Sequence, residues 1–275
     1  MNKIILADNL EYLKTIPDGY VDLIYTDVPF NSKKVQKRNK IKAEISETGL
    51  EGFGGNRYSR NTTGQYGSYN DNFDDYIKFL RPRMIEVYRV LKDTGSFYLH
   101  IDYRECAYVK VMLDEIFGRD NFRSELIWSF DFGGISRNNW TNKHNNILFY
   151  VKNKKHYTFN FDAIPRIPYL APGLAGKEKA AKGKIVKSVF WHTIVGTNSK
   201  EKQGYATQKP IAILKPFIEV SSNPGDLVLD PFAGAGSLGE ACGELNRQFI
   251  MIDNNPQAFE IMKKRLSKYN IQTSQ

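Results

Sequence analysis

A short apolar strand that empties into a glycine-rich turn and then a helix is the feature that most limits the folds open to this chain. Leu227-Val228-Leu229 leads into Asp230-Pro231-Phe232-Ala233-Gly234-Ala235-Gly236-Ser237-Leu238-Gly239. The glycines let backbone approach a ligand, and the helix start offers unpaired N–H groups to an anion. Gly234, Gly236 and Gly239 also satisfy G-x-G-x-x-G, a dinucleotide fingerprint that is weak when it stands alone. Asp253 closes the next apolar strand, where an acid can hold ribose hydroxyls. This half of the chain therefore points to a nucleoside-type cofactor without saying which one.

The same alternation runs through two stretches of the chain. Strands are expected at 3–6, 21–25, in GSFYLHI after Gly95, and near 122–130 and 146–151. In the second stretch they are expected at 227–229 and 249–252. Between them, apolar residues recur at helical spacing, as in Phe73, Ile77, Leu80, Met84, Val87 and Leu91. Pro82 should kink that helix or divide it in two. Further helices are expected at 103–117, 211–220, 237–245 and 256–266. Strands alternating with helices imply an α/β fold with a mostly parallel sheet covered by helices. In 275 residues this makes one large domain with insertions.

The insertions carry the charge. The chain has a formal net charge of +9, and its cations cluster. Lys33, Lys34, Lys37, Arg38, Lys40 and Lys42 form one group, Lys152, Lys154 and Lys155 a second, and Lys177, Lys179, Lys182, Lys184 and Lys187 a third. With no acidic counterpart in sequence, these groups favour phosphate contacts. Residues 31–72 lack periodicity and mix Arg57 and Arg60 with tyrosines and small residues, which reads as a flexible loop facing nucleic acid. Residues 131–146 and 153–204 read as irregular and basic. Two cysteines, Cys106 and Cys242, and no C-x-x-C pair exclude a cysteine-rich zinc site, so no metal is expected. No apolar run reaches membrane-spanning length, and the N-terminal MNKIILADN lacks a signal-peptide pattern. A cytoplasmic, nucleoid-associated protein with no membrane contact is the expectation.

Two further segments bear chemistry. Asp27-Val28-Pro29-Phe30 ends an apolar strand, where ligands bind in open α/β sheets. A carboxylate, a rigid turn and a ring together suit a flat, hydrogen-bonding substrate. Tyr205-Ala206-Thr207-Gln208-Lys209-Pro210 precedes the helix that leads to the glycine turn. By composition it is a turn and a helix start, with Thr207 a candidate N-cap and Lys209 a surface charge.

Taken together, these segments resemble the DNA amino-methyltransferases of bacterial restriction-modification systems. Asp27 to Phe30 is similar to their D-P-P-Y/F motif, Asp230 to Gly236 to their D-P-F-x-G-x-G cofactor motif, and TQKP to the segment before it. Ala7-Asp8-Asn9, RVLKDTGSFYLHID and DEIFGRDNFRSELIW fit as well. The catalytic motif comes first and the cofactor motif last, as in the permuted β class. The resemblance covers about 1–30, 73–152 and 189–267.

What the resemblance implies is specific. The fold would be the Rossmann-like fold of S-adenosylmethionine-dependent methyltransferases, with irregular target-recognition inserts. Residues 1–30 and 73–152 would form the catalytic half, 31–72 a flexible DNA-facing loop, 131–204 a target-recognition region overlapping the core strand 146–151, and 205–270 the cofactor half. Asp27, Val28, Pro29 and Phe30 would be catalytic. S-adenosylmethionine would meet Asp8, Asn9, Asp27, Thr207, Lys209, Asp230, Phe232, Gly234, Gly236 and Asp253. Lys33, Lys34, Lys37, Arg38, Arg57, Arg60, Arg137 and Asn138 would contact DNA. The partner would be double-stranded DNA with its target base flipped out, with a cognate restriction endonuclease and a homodimer as family-level expectations.

The expected activity is methylation of adenine N6 in a specific duplex sequence, with cytosine N4 the second choice. Neither cysteine sits in the Pro-Cys context of cytosine C5 chemistry. Val28 departs from the family motif by replacing its first proline. It still precedes Pro29, which biases it toward extended backbone, and its carbonyl is retained. The departure keeps open a non-catalytic DNA-binding subunit. The motifs also leave room for a methyltransferase acting on RNA or protein, and the G-x-G-x-x-G turn for an NAD-dependent oxidoreductase.

Overall fold

The structure is a computed structural model that describes residues 2–51, 55–196 and 199–274; the side chains of 37–41, 43, 50, 60, 63–68 and 70 are outside the described set. In chain order its elements begin with β1 (Asn2–Leu6), α1 (Asn9–Thr15), β2 (Val21–Asp27), β3 (Lys34–Glu51), β4 (Arg57–Asp71) and α2 (Tyr76–Val90). There follow β5 (Leu91–Ile101), α3 (Cys106–Leu113) with a π turn at Asp114–Gly118, β6 (Phe122–Ser129), β7 (His144–Val151) and β8 (Arg166–Ile167). Then come α4 (Pro172–Ala175), α5 (Lys177–Lys182), β9 (Lys184–Ile185), β10 (Val189–Trp191) and α6 (Ile211–Ser221). The chain closes with β11 (Leu227–Asp230), α7 (Ser237–Glu244), β12 (Gln248–Asp253), α8 (Pro256–Leu266) and β13 (Ile271–Ser274).

Nine strands form one sheet in the order β10-β6-β7-β5-β2-β11-β12-β1-β13. β7 runs antiparallel to both of its neighbours, and the other described pairings are parallel. On one face, Leu13 of α1 and Ile16 just after it, Leu80, Met84 and Val87 of α2, and Val109 and Met112 of α3 pack on Ile24, Phe97, Leu99 and Ile252. On the other face, Ile213 and Ile218 of α6, Leu238 and Cys242 of α7, and Phe259 and Met262 of α8 pack on Leu23, Tyr98, Val228 and Met251. Alternate strand residues thus feed two opposite cores, as the pleat requires. Both cysteines are buried in these cores.

The layering follows from handed connections. From β1 through β2 to β5 the chain advances in one direction across the sheet; from β11 through β12 to β13 it advances in the other. Right-handed crossovers place the connecting helices on opposite faces for opposite directions of travel. β2 and β11, distant in sequence, lie side by side where the direction reverses, with Leu23 opposite Val228. A crevice at the carboxyl ends of the strands is expected at such a switch point.

Local signals set the helix starts. The Asp8 carboxylate accepts from Leu10 N at 2.9 Å and opens α1, and Asn255 followed by Pro256 opens α8. Pro82 lies inside α2, which runs on as one helix, so of the expected kink or division the division does not occur. Its missing N–H removes one helical hydrogen bond, and the buried face of Leu80, Met84 and Val87 holds the turn together.

Residues 31–72 differ more from expectation. They are a long antiparallel hairpin, β3 with β4, rather than a structureless loop. The hairpin is a separate two-stranded sheet whose described residues are mostly exposed. Among its described residues few side chains are buried, so these strands are defined by backbone pairing and carry no apolar alternation. Likewise 153–204 is not wholly irregular. It holds two short helices, a two-stranded ribbon of β8 and β9, and β10, which extends the main sheet beside β6.

Candidate active site

Five aspartates stand at the carboxyl edge of the sheet. Asp102 follows β5, Asp27 ends β2, Asp230 ends β11, Asp253 ends β12 and Asp8 follows β1. Four of them, Asp8, Asp27, Asp230 and Asp253, line one cavity of about 350 Å³ together with Asn9, Phe30, Tyr69, Tyr205, Thr207, Lys209, Phe232 and Gly234. Every expected catalytic residue lines this cavity, and so does every expected cofactor residue except Gly236. Gly236 stands behind the wall, where a Cβ would meet Met262 Cγ at 2.9 Å.

The glycine turn is built for close approach. Gly234 and Gly236 adopt φ of +51° and +70°, which side-chain-bearing residues rarely do. Asp253 Oδ2 accepts from Gly234 N at 2.8 Å and Oδ1 accepts from Asn255 N at 2.8 Å. Burial still pushes its carboxyl up. Asp230, deeper in the edge, accepts from Phe232 N at 2.9 Å, and burial pushes its carboxyl up to about 8. At the far wall Arg83 donates to Asn9 Oδ1 at 2.6 Å and to Asp8 Oδ2 at 2.9 Å, and Asn9 Nδ2 donates to the Pro231 carbonyl at 2.8 Å. Asp8 is therefore both a helix cap and a fixed acceptor on the cavity wall.

Asp27 is the centre of the other end. Its Oδ2 accepts from Lys209 Nζ, while its Oδ1 is buried and takes no hydrogen bond. The nearest described imidazole, His100 on β5, keeps Nδ1 3.9 Å from that oxygen. His100 is satisfied elsewhere, by the Tyr25 hydroxyl at 2.6 Å and Asn145 Nδ2 at 2.9 Å, and burial holds its pKa well below the ordinary histidine range. Burial raises the Asp27 carboxyl, and Lys209 opposes that rise.

The turn after Asp27 is held by groups that no local motif marks. The Tyr76 hydroxyl donates to the Pro29 carbonyl at 2.5 Å. Val28 is buried in the core, so packing fixes its backbone where the family motif has a pyrrolidine ring. Phe30 lies 5.8 Å from the His100 ring. Asn31, at φ +53°, and Ser32 donate their backbone N–H groups to Asp71 at 2.8 and 3.1 Å. Asp71 ends β4, so the hairpin is anchored at the exit of the turn that follows Asp27.

Lys209 is 9% exposed and is a buried ion-pair partner rather than a surface charge. Thr207 is not a helix cap: α6 starts at Ile211 with Pro210 before it, and Thr207 sits at φ +59°. Arg83, Tyr69, Asp71 and His100 were missed by sequence reasoning. For Asp71 and Tyr69 no local signal existed. Arg83 could have been suspected as a charge on the apolar face of α2.

The expected DNA contacts are spread around this edge. Lys33 and Lys34 are exposed at the hairpin base and Arg57 on β4, while Arg137 and Asn138 are exposed in the segment between β6 and β7. The side chains of Lys37, Arg38 and Arg60 lie outside the described residues. Part of the expected phosphate surface is otherwise engaged. Lys152 donates to the carbonyls of Tyr88, Arg89 and Leu91 near the end of α2. Lys154 pairs with Asp120, which lies outside its cluster in sequence, and Lys182 with Glu178, an acid within the 177–187 group itself. Among the described residues, no helix is long and apolar enough to cross a membrane.

Comparison with known proteins places this geometry. The family model for DNA methylases of the N6/N4 methyltransferase type matches residues 21–264. The chain is 30% identical over 271 residues to the type II methyltransferase M.HpaI of Haemophilus parainfluenzae, covering 98% of this chain and 75% of that protein. It is 30% identical over 276 residues to the DNA adenine methyltransferase YhdJ of Escherichia coli (strain K12), covering 96% and 82%. Among solved structures, the M1.HpyAVI–SAM complex superposes with a TM-score of 0.62 at 22% identity, covering 97% of this chain and 99% of that one. The cytosine-N4-specific PvuII DNA methyltransferase superposes with a TM-score of 0.64 at 16% identity, covering 99% and 89%. These two show the shared fold.

Proposed function

The chain belongs to the N6/N4 DNA methylase family, and from that premise we propose that it transfers a methyl group from S-adenosylmethionine to an exocyclic amino group in duplex DNA, adenine N6 ahead of cytosine N4. The observation that carries this reading is Asp27, a cavity-lining carboxylate close to Phe30 whose Oδ1 is buried without a hydrogen-bond partner. Buried polar atoms are nearly always paired, so an orphan acceptor at a cavity argues for a donor brought by a ligand.

The cavity fits the cofactor. Three carboxyl groups raised by burial, on Asp27, Asp230 and Asp253, favour a ligand that carries positive charge. Asp253, held by two backbone N–H groups, keeps lone pairs for ribose hydroxyls. Asp8 and Asn9 would hold the adenine, and Asp230, Phe232, Gly234 and Thr207 the methionine portion, with Gly236 shaping the turn from behind the wall. S-adenosylmethionine, when bound, supplies a methyl group already activated on a sulfonium.

The protein's own task is to make the acceptor nitrogen reactive. An exocyclic amine shares its lone pair with the ring. Asp27 Oδ1 accepts one N–H and the Val28 carbonyl the other, the Pro29 carbonyl being engaged by Tyr76. Two acceptors favour a pyramidal nitrogen and stabilise the positive charge that develops on it, an interaction stronger in the transition state than in the ground state. Phe30 stacks on the flipped base. No covalent intermediate with the protein is needed.

DNA would reach this edge between the hairpin and the segment joining β6 and β7. Lys34 and Arg57, both exposed, would meet phosphates, and the exposed Arg137 and Asn138 phosphates or base edges. The preference for adenine rests on the Asp-led motif and on the adenine-specific relative.

The test is transfer of labelled methyl from S-adenosylmethionine to unmethylated duplex DNA, with RNA and protein as controls, followed by nucleoside analysis. N6-methyladenine is expected, and Asp27→Ala should lower transfer by about 10²–10³-fold, the range for removing one such electrostatic group. N4-methylcytosine would keep the enzyme and change its base. DNA and cofactor binding without transfer in the wild type would point to a non-catalytic subunit disabled at Val28.

A further inference from the structure

The ammonium that holds Oδ2 of Asp27 comes from the other half of the sheet. Lys209 lies 182 positions from Asp27 and is 9% exposed, the Asp27 side chain 20%. Long cationic side chains are seldom buried unless paired. Its Nζ meets Asp27 Oδ2, stands 3.4 Å from the Thr207 carbonyl and lies 5.0 Å from the Phe30 ring centroid.

No other described group around Asp27 supplies a positive charge. Asp71 of β4 adds negative charge, and burial holds the Asp230 carboxyl of β11 toward its neutral form. His100 of β5 is neutral, and Tyr25 of β2, Tyr69 of β4 and Tyr76 of α2 are buried phenols. Lys209 is the cation that opposes desolvation at this carboxylate. Its bond also divides the two oxygens, one clamped and one bare.

We propose that Lys209 is a positioning residue for methyl transfer: its ammonium clamps Oδ2 of Asp27 and thereby presents the unpartnered Oδ1 to the exocyclic amine. This rests on the reading of Asp27 as the acceptor carboxylate. It differs from the role implied by motif resemblance, in which Lys209 lies beside the methionine end of the cofactor.

The test uses the full chain, Lys209→Met and Lys209→Arg, with thermal unfolding to confirm that each folds. The first readout needs no substrate: the Asp27 carboxyl carbon is followed by 13C NMR against pH and assigned with Asp27→Asn. In Lys209→Met its titration should move up by about one unit or more, the size of effect that an opposite charge at contact exerts, and Lys209→Arg should return it most of the way. The second is single-turnover transfer at saturating cofactor. The rate should fall about 100-fold in Lys209→Met, with its acidic limb moved to higher pH, while the cofactor Kd stays within about two-fold. An unmoved carboxyl titration would overturn the clamp. A weaker cofactor Kd with an unchanged saturated rate would overturn it in favour of a cofactor ligand. If the wild type labels no nucleic acid, the reading of Asp27 falls, and the carboxyl titration still decides the clamp by itself.

Discussion

The ring of Tyr69 lies against that of Tyr205, with centroids 6.5 Å apart and planes 11° from parallel. Tyr69 belongs to the base of the hairpin, Tyr205 to the segment before α6, and both line the cavity. The Tyr69 hydroxyl meets Thr207 Oγ1 at 3.3 Å, and Tyr205 is so close to the glycine turn that a Cβ on Gly234 would sit 3.3 Å from its ring. Hairpin, loop and glycine turn are thus stacked into one wall.

Removing the stack should loosen that wall. Tyr69→Ala is expected to weaken S-adenosylmethionine binding by about 3- to 10-fold, the effect of a stacked aromatic pair worth about 0.5–1.5 kcal/mol. Tyr69→Phe, which keeps the ring, should bind nearly as the wild type. Equilibrium titration of the cofactor checks both.

Gly236 should tolerate no side chain. At φ +70° an L-residue costs about 1–2 kcal/mol, and a Cβ would also meet Met262 Cγ at 2.9 Å. Gly236→Ala is expected to lower stability by about 2–3 kcal/mol in chemical denaturation, because the rigid α8 face behind it gives little room.

Arg265 ties α8 to the glycine turn. It pairs with Glu240 at 2.8 Å and donates to the Ala235 carbonyl at 3.1 Å and Ser237 Oγ at 3.0 Å, with its side chain 1% exposed. Arg265→Ala should cost about 3 kcal/mol, the low end for breaking a buried pair, since Glu240 keeps Lys268 at 2.6 Å. Denaturation midpoints at constant m-value check it.

Asp230 should make stability depend on pH in a direction opposite to most carboxylates. Its folded pKa, about 8, lies above the ordinary 3.8 because burial disfavours the anion. The folded state therefore binds this proton more tightly than the unfolded chain does. Its contribution to stability is complete below pH 3.8 and is lost as pH rises through about 8. Asp230→Asn should flatten that decline in cofactor-free protein, as read from unfolding free energies across the same window.

Much of the site was legible because its signals are local. The glycine turn needs positive φ, the strand ends place Asp27, Asp230 and Asp253, and Asp8 is both a cap and a cavity residue. The hairpin was not legible, since the described residues of β3 and β4 are mostly exposed and leave no two-residue pattern to read. Lysine clusters misled in part, because partners such as Asp120 and the carbonyls at the end of α2 are neighbours in space alone.

The sequence by itself determined the alternation of strands and helices, the cofactor turn and the candidate acceptor carboxylate, because each depends on residues within one element or one turn. The tertiary structure decided which side chains meet. Adjacency of β2 and β11 at the switch point brings Lys209 to Asp27, and the antiparallel return of the hairpin brings Tyr69 to Tyr205 and Asp71 to the turn after Phe30. Such contacts depend on strand order and crossover handedness, which act on the whole sheet and leave no mark on the spacing of neighbouring residues.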